Sequence, residues 1–103
     1  MRNITETIAH AFMNGYEKTV SNSNTNGKSV FLWGNEIIRK YQGKIQINLC
    51  GYNTVTTRER INGVLSYTGT GYGVTTKQGT VYLVDRQNNK KEIPCNEWVT
   101  IGE

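Results

Sequence analysis

Apolar residues near the N-terminus recur at helical spacing, and further along the chain the spacing shortens to two. Ile4, Ile8, Ala11 and Phe12 fall on one helical face that ends at Gly15, which predicts a first helix over about Ile4 to Asn14. Asn3, ahead of Ile4-Thr5-Glu6, imitates the spacing of a capping box. A helix of this length is marginal in isolation, so its apolar stripe needs a surface to cover.

From Lys18 onward, Val30-Phe31-Leu32-Trp33, Ile37-Ile38 and the alternating Ile45, Ile47 and Leu49 read as strands, with turn signals at Asn26-Gly27, Gly34-Asn35 and Gln42-Gly43. Thr56 and Glu59 then stand at capping-box spacing: the hydroxyl can accept from the backbone N–H three residues on, while the carboxylate reaches back to the threonine N–H. A second, short helix is predicted over about Thr57 to Leu65. Ser66 to Gly73 is too rich in glycine for a regular element, a further hairpin turns at Gln78-Gly79, and a last strand includes Trp98-Val99-Thr100-Ile101. Asparagine beside glycine, as in Asn26-Gly27 and Asn62-Gly63, tolerates positive φ and marks chain reversals. The likeness of Gln42-Gly43-Lys44-Ile45-Gln46-Ile47 to Gln78-Gly79-Thr80-Val81-Tyr82-Leu83 is shared turn chemistry. The predicted class is α+β, mainly an antiparallel β meander with an N-terminal helix and a short second helix between hairpins. The 103 residues allow one domain, 1–103, with one modest core.

Trp33 and Trp98 lie in apolar strand patterns and are expected to pack in the core or against a hairpin. Val30 and Leu32 alternate with Phe31 and Trp33, so both faces of that strand are apolar. The second face can meet another layer or another chain, which leaves a homo-oligomer open.

The formal net charge is +4 with both signs spread along the chain, which permits contact with nucleic acid without demanding it. No stretch is long and apolar enough to span a bilayer, and Glu6 interrupts what would be a signal peptide's core. A cytosolic protein is expected, with Cys50 and Cys95 as unpaired thiols. One histidine, His10, and one aspartate, Asp85, leave little for acid–base or triad chemistry, and no G-x-S-x-G motif appears. The cysteines and the histidine lie in separate segments without metal-ligand spacing. Gly69, Gly71 and Gly73 lack both the dinucleotide fingerprint and the Walker lysine, so a flexible loop is the plain reading. The chain is expected to be non-enzymatic, without metal or cofactor.

What remains is binding. Basic residues group as Arg39, Lys40 and Lys44; as Arg58 and Arg60; and as Arg86, Lys90 and Lys91, with Tyr41, Tyr52, Tyr67, Tyr72 and Tyr82 interleaved. Arginine offers forked donors to phosphate or carboxylate, and tyrosine a flat face for a base or a rigid anchor for a protein. Arg58, in the first turn of its helix, opposes the macrodipole unless an anion or Glu59 compensates. The candidate partner- or anion-binding residues are therefore Tyr52, Asn53, Arg58, Arg60, Arg39, Lys40 and Lys44, presented outward.

Phe31-Leu32-Trp33-Gly34-Asn35-Glu36-Ile37, the Gly43 turn, Gly51-Tyr52-Asn53-Thr54-Val55-Thr56-Thr57-Arg58-Glu59-Arg60-Ile61-Asn62 and the capped first helix together resemble a group of small tailed-phage accessory proteins. The resemblance runs from the first helix to about Leu65. It implies a protein made in the cytoplasm of an infected bacterium, of a class that often binds and disables a host enzyme or defence complex, and it transfers no catalytic residue. A host protein is the leading expected partner. Nucleic acid or a nucleotide is the alternative, and a small anionic signal molecule closed over by Gly69 to Gly73 is the third reading.

Overall fold

The computed structural model describes residues 4–101, so the Asn3 cap lies outside the described residues. Helix α1 (Ile4–Asn14) buries Thr5, Ile8, Ala9, Ala11 and Phe12. It ends at Gly15, whose φ of 79° lets Tyr16 N–H return to the Ala11 carbonyl at 3.1 Å in a Schellman closure.

Five strands follow in an antiparallel meander: β1 (Lys18–Val20), β2 (Ser23–Thr25), β3 (Ser29–Leu32), β4 (Asn35–Tyr41) and β5 (Lys44–Ile47). Helix α2 (Val55–Tyr67) separates them from β6 (Gly73–Lys77), β7 (Thr80–Val84), β8 (Lys90–Glu92) and β9 (Val99–Thr100). The class is α+β, as the pattern predicts. The strands form two sheets, because β9 returns to pair with β5 and completes the order β1-β2-β3-β4-β5-β9, while β6-β7-β8 stand apart.

Three hairpins turn on two residues that both have positive φ: Trp33-Gly34 (50° and 80°), Gln42-Gly43 (51° and 79°) and Gln78-Gly79 (52° and 82°). Their mirror-image twist matches the twist of the flanking strands. The first turn is thus one residue earlier than the expected Gly34-Asn35, and Trp33 sits at its tip.

Strand β4 carries a bulge. Val30 pairs with Ile38 and Phe31 with Glu36, leaving Ile37 as the extra residue. Ile37 and Ile38 are consequently both buried despite being adjacent. They join Ile8 and Phe12 of α1, Val30 and Leu32 of β3, Ile47, Leu49, the α2 residues Ile61, Val64 and Leu65, and Val74, Val81 and Leu83 of the small sheet in one core. Fully burying an aliphatic side chain of this size contributes roughly 1.5–3 kcal/mol.

Helix α2 departs from its prediction at both ends. Its N-cap is Thr54, whose Oγ1 accepts from Thr57 N–H at 3.2 Å, so the cap lies two residues before Thr56 and Glu59 has no reciprocal part in it. At the other end the helix runs on to Tyr67, and Gly69 closes it, with Thr70 N–H donating to the Leu65 carbonyl at 3.1 Å. Asn62-Gly63 is no reversal. A β-carbon at Gly63 would stand 1.9 Å from Thr5 Cγ2, so this glycine is where α2 crosses against α1.

Candidate binding surfaces

Asn53 and Thr54 fix the start of α2 to the small sheet. Asn53 Nδ2 donates to Thr76 Oγ1 at 3.0 Å, while its Oδ1 and backbone carbonyl accept from Arg58 Nη1 at 2.5 and 3.1 Å. These acceptors offset the poor placement of a cation in a first helical turn, which the sequence assigned to an anion or Glu59. Further along, the Asn62 amide acts as a one-residue strand: Nδ2 donates to the Val74 carbonyl at 2.9 Å and Oδ1 accepts from Val74 N–H at 2.6 Å. Between α1, α2 and β6 lies an open groove of about 970 Å³, lined by Glu6, Val55, Arg58, Glu59, Tyr67 and Thr76 among others. The Tyr67 hydroxyl meets His10 Nδ1 at 2.8 Å.

One predicted site residue faces inward instead of outward. Arg60 is only 7% exposed. Its Nη1 donates to Thr5 Oγ1 at 2.8 Å and its Nε to Ser23 Oγ at 3.0 Å, tying α2 to α1 and β2, with the exposed Glu59 carboxylate 3.8 Å away. Position 60 falls in helical phase with buried Thr57, Ile61 and Val64, a signal that was present in the sequence. Lys40 stays exposed, but its ammonium is already engaged. Its Nζ donates to the Phe12 carbonyl at 2.6 Å and to the Gly27 carbonyl at 3.2 Å, placing a cation at the negative end of α1.

Arg39 occupies the opposite face of β4. Its Nε donates to Gln46 Oε1 at 2.7 Å, Gln46 donates to Thr100 Oγ1 at 2.9 Å, and the guanidinium lies 4.0 Å from the Trp98 ring centre and 5.1 Å from that of Tyr41. Trp98 is therefore a half-buried support for Arg39. Trp33 is a correction to the expected core placement, being 57% exposed. Tyr52 is 51% and Val55 69% exposed. Lys44 stands elsewhere, in a cleft of about 300 Å³ that it shares with Thr70, Tyr72 and Arg86. The seven predicted residues thus divide among a groove, a sheet face, a loop and a cleft, with Arg60 turned inside and the Lys40 ammonium held by backbone carbonyls.

Cys50 and Cys95 are both free thiols. Cys50 Sγ donates to the Glu36 carbonyl at 3.1 Å, and burial, with smaller contributions from the Glu36 charge and from Cys95, holds its pKa above the ordinary thiol value. Asp85 is shifted the opposite way. The backbone N–H of Asn89 lowers its pKa most, desolvation opposes this, and the N–H of Gln87 adds a further lowering. Among the described residues no group of three or more His, Cys, Asp or Glu is placed to hold a metal ion, and no helix is long and apolar enough to cross a membrane.

These surfaces belong to a small α+β protein in which two helices and a three-stranded sheet share a core with a six-stranded antiparallel sheet. Residues 1–100 match the family model of the Kyanoviridae Gp96 protein, and the chain belongs to that phage family. Neither the curated proteins nor the solved structures contain a match.

Proposed function

We propose that this phage protein is a non-enzymatic accessory factor that acts in the cytoplasm of the infected bacterium by binding a host protein, as an inhibitor of host defence or an agent of host takeover. The observation that carries this reading is the exposure of Trp33, Tyr52 and Val55 at one end of the fold. The β3–β4 turn and the chain leaving β5 meet there, since Cys50 bonds the Glu36 carbonyl and Asn48 N–H bonds the Ile37 carbonyl at 2.8 Å. Trp33 also holds φ at 50°, a conformation that suits asparagine or glycine and is unfavourable for a bulky side chain. A tryptophan there does nothing for the hairpin that a smaller residue would not do better. Exposed tryptophan and tyrosine are the side chains that most often dominate protein interfaces.

The test is affinity capture from host lysate with the intact protein and with Trp33→Ala and Tyr52→Ala. A partner retained by the parent and reduced about tenfold or more by Trp33→Ala is expected, on the scale of an interface hot spot. Equal capture by parent and both variants would overturn the reading.

Arg39 over Trp98 on the outer sheet face favours one second reading, nucleic-acid binding. Affinity for single-stranded DNA would then fall by roughly 0.7 log units per log unit of salt for each phosphate neutralised. Salt-independent or absent binding removes it.

A further inference from the structure

The chain leaves the six-stranded sheet after β5 and returns to it at β9, and a cysteine stands on each side of that gap. Helix α2 and all three strands of the small sheet lie between them in sequence. Strands β5 and β9 pair with Ile47 opposite Val99. Continued past the ladder, that register sets Gly51 opposite Cys95, and Gly51 N–H donates to the Cys95 carbonyl at 2.8 Å. Peptide dimensions then put the α-carbons of Cys50 and Cys95 roughly 4–7 Å apart, about the span that a disulfide bridges.

The side chains converge as well. Both cysteines are half-buried and pack against the same core. Burial and the Glu36 charge do most to hold the Cys50 thiol up, and Cys95 adds to them, so the two sulfurs lie within electrostatic reach of each other. Cys50 is fixed by its turn: its φ is 57° beside 80° at Gly51, and Tyr52 N–H returns to the Leu49 carbonyl at 2.9 Å. The first position of such a turn suits asparagine or glycine, so cysteine brings it no backbone advantage. What it brings is a thiol, held on the Glu36 carbonyl at 3.1 Å. Cys95 lies between exposed Pro94 and Asn96 and is partly open to solvent.

We propose that Cys50 and Cys95 form a reversible redox pair, which closes to an intramolecular disulfide by exchange with a low-molecular-weight disulfide. The Cys95 thiolate attacks one sulfur of that molecule, whose S–S bond breaks, and the departing thiolate takes up the proton that Cys95 lost. The Cys50 thiolate then attacks the Cys95 sulfur of the mixed disulfide and expels the second small thiol, which gains the Cys50 proton. The protein's two thiols are oxidised and the small disulfide is reduced to two thiols, so no other oxidant is needed. Closure removes the hydrogen that Cys50 gives to Glu36, and it ties off α2 and the small sheet as one covalent loop. In a reducing cytoplasm a bond of this kind is transient. The pair stands or falls without the host-protein reading.

The test equilibrates the intact protein with reduced and oxidised glutathione at a series of ratios, quenches with acid, alkylates in denaturant and reads the mass. The expected product is a monomer lighter by two hydrogens, with Cys50 joined to Cys95 in the peptide map and the bond reversed by dithiothreitol. Folded protein should reach half-oxidation at a ratio about tenfold or more further toward reduced glutathione than protein in urea, because the fold raises the effective concentration of one thiol at the other. The oxidised form should accordingly unfold at a higher urea midpoint than the reduced form. Cys50→Ser and Cys95→Ser should each stop at a mixed disulfide with glutathione. A parent protein that accumulates mixed disulfides on both cysteines, links chain to chain, or closes no more readily when folded than in urea would overturn the proposal.

Discussion

A single missing β-carbon sets how closely the two helices approach. At position 63 any side chain would enter the space of Thr5 Cγ2, 1.9 Å away, whereas Thr5 Cβ and Oγ1 stand at 3.2 and 3.9 Å. Gly63→Ala should therefore destabilise the fold by about 1–3 kcal/mol, the usual range for overpacking, read as a lowered urea midpoint. Thr5→Ser removes Cγ2 and keeps the oxygen that Arg60 needs. The double variant should recover most of the loss, a coupling that independent sites would not show. The Cys50 thiol makes a second expectation at this scale. With its pKa raised by burial first and by Glu36 next, it is less ionised in the folded chain than in the unfolded one. The neutral thiol thus contributes stability below the ordinary thiol pKa, and that contribution is lost as pH rises toward the folded value. Alkylation of Cys50 should be slower than that of a free cysteine at pH 8 and keep accelerating above pH 9, and Glu36→Gln should speed it.

At the scale of elements, the end of α1 was legible because a glycine follows a clean apolar stripe, and the structure places it at Asn14 as the pattern predicts. The start of α2 was harder. Thr54, Thr56 and Thr57 lie close together, and sequence alone favours the threonine with a glutamate three residues on, although the chain caps on Thr54. Thr54→Ala should accordingly cost about 1 kcal/mol in thermal or urea unfolding, as loss of an N-cap does. Glu59→Ala should change stability by less than half of that. The reverse order would mean the cap is at Thr56 after all. Asn62-Gly63 misled for a related reason. The pair that makes a turn between strands also suits a crowded helix, where the asparagine amide bonds Val74 and the glycine admits Thr5.

For the whole molecule, the α+β class followed from the change of spacing along the chain, but the division into two sheets did not. Strand β9 has only two residues, and its pairing with β5 joins segments more than fifty residues apart, for which local pattern carries no signal. The binding residues were legible as a list and not as a place. Arg58 and Arg60 are two positions apart, which on a helix turns one toward the groove and the other toward the core. Lys44 and Arg86 were assigned to different groups, and the fold brings them together. Seven residues of β4 separate the Trp33 turn from the Gly43 turn, roughly 20 Å at strand rise.

The extra residue in β4 bears on how this chain can vary in length. Because Ile37 alone is unmatched across the ladder, with Phe31 to Glu36 and Val30 to Ile38 paired on either side of it, removing it would leave every other strand partner in place and every neighbouring side chain on its present face. Elsewhere in the meander a one-residue gap would invert the inside and outside of everything beyond it up to the next turn. Relatives that are one residue shorter in this sheet would be expected to have lost this isoleucine, giving up one core side chain while keeping the hairpin's phase.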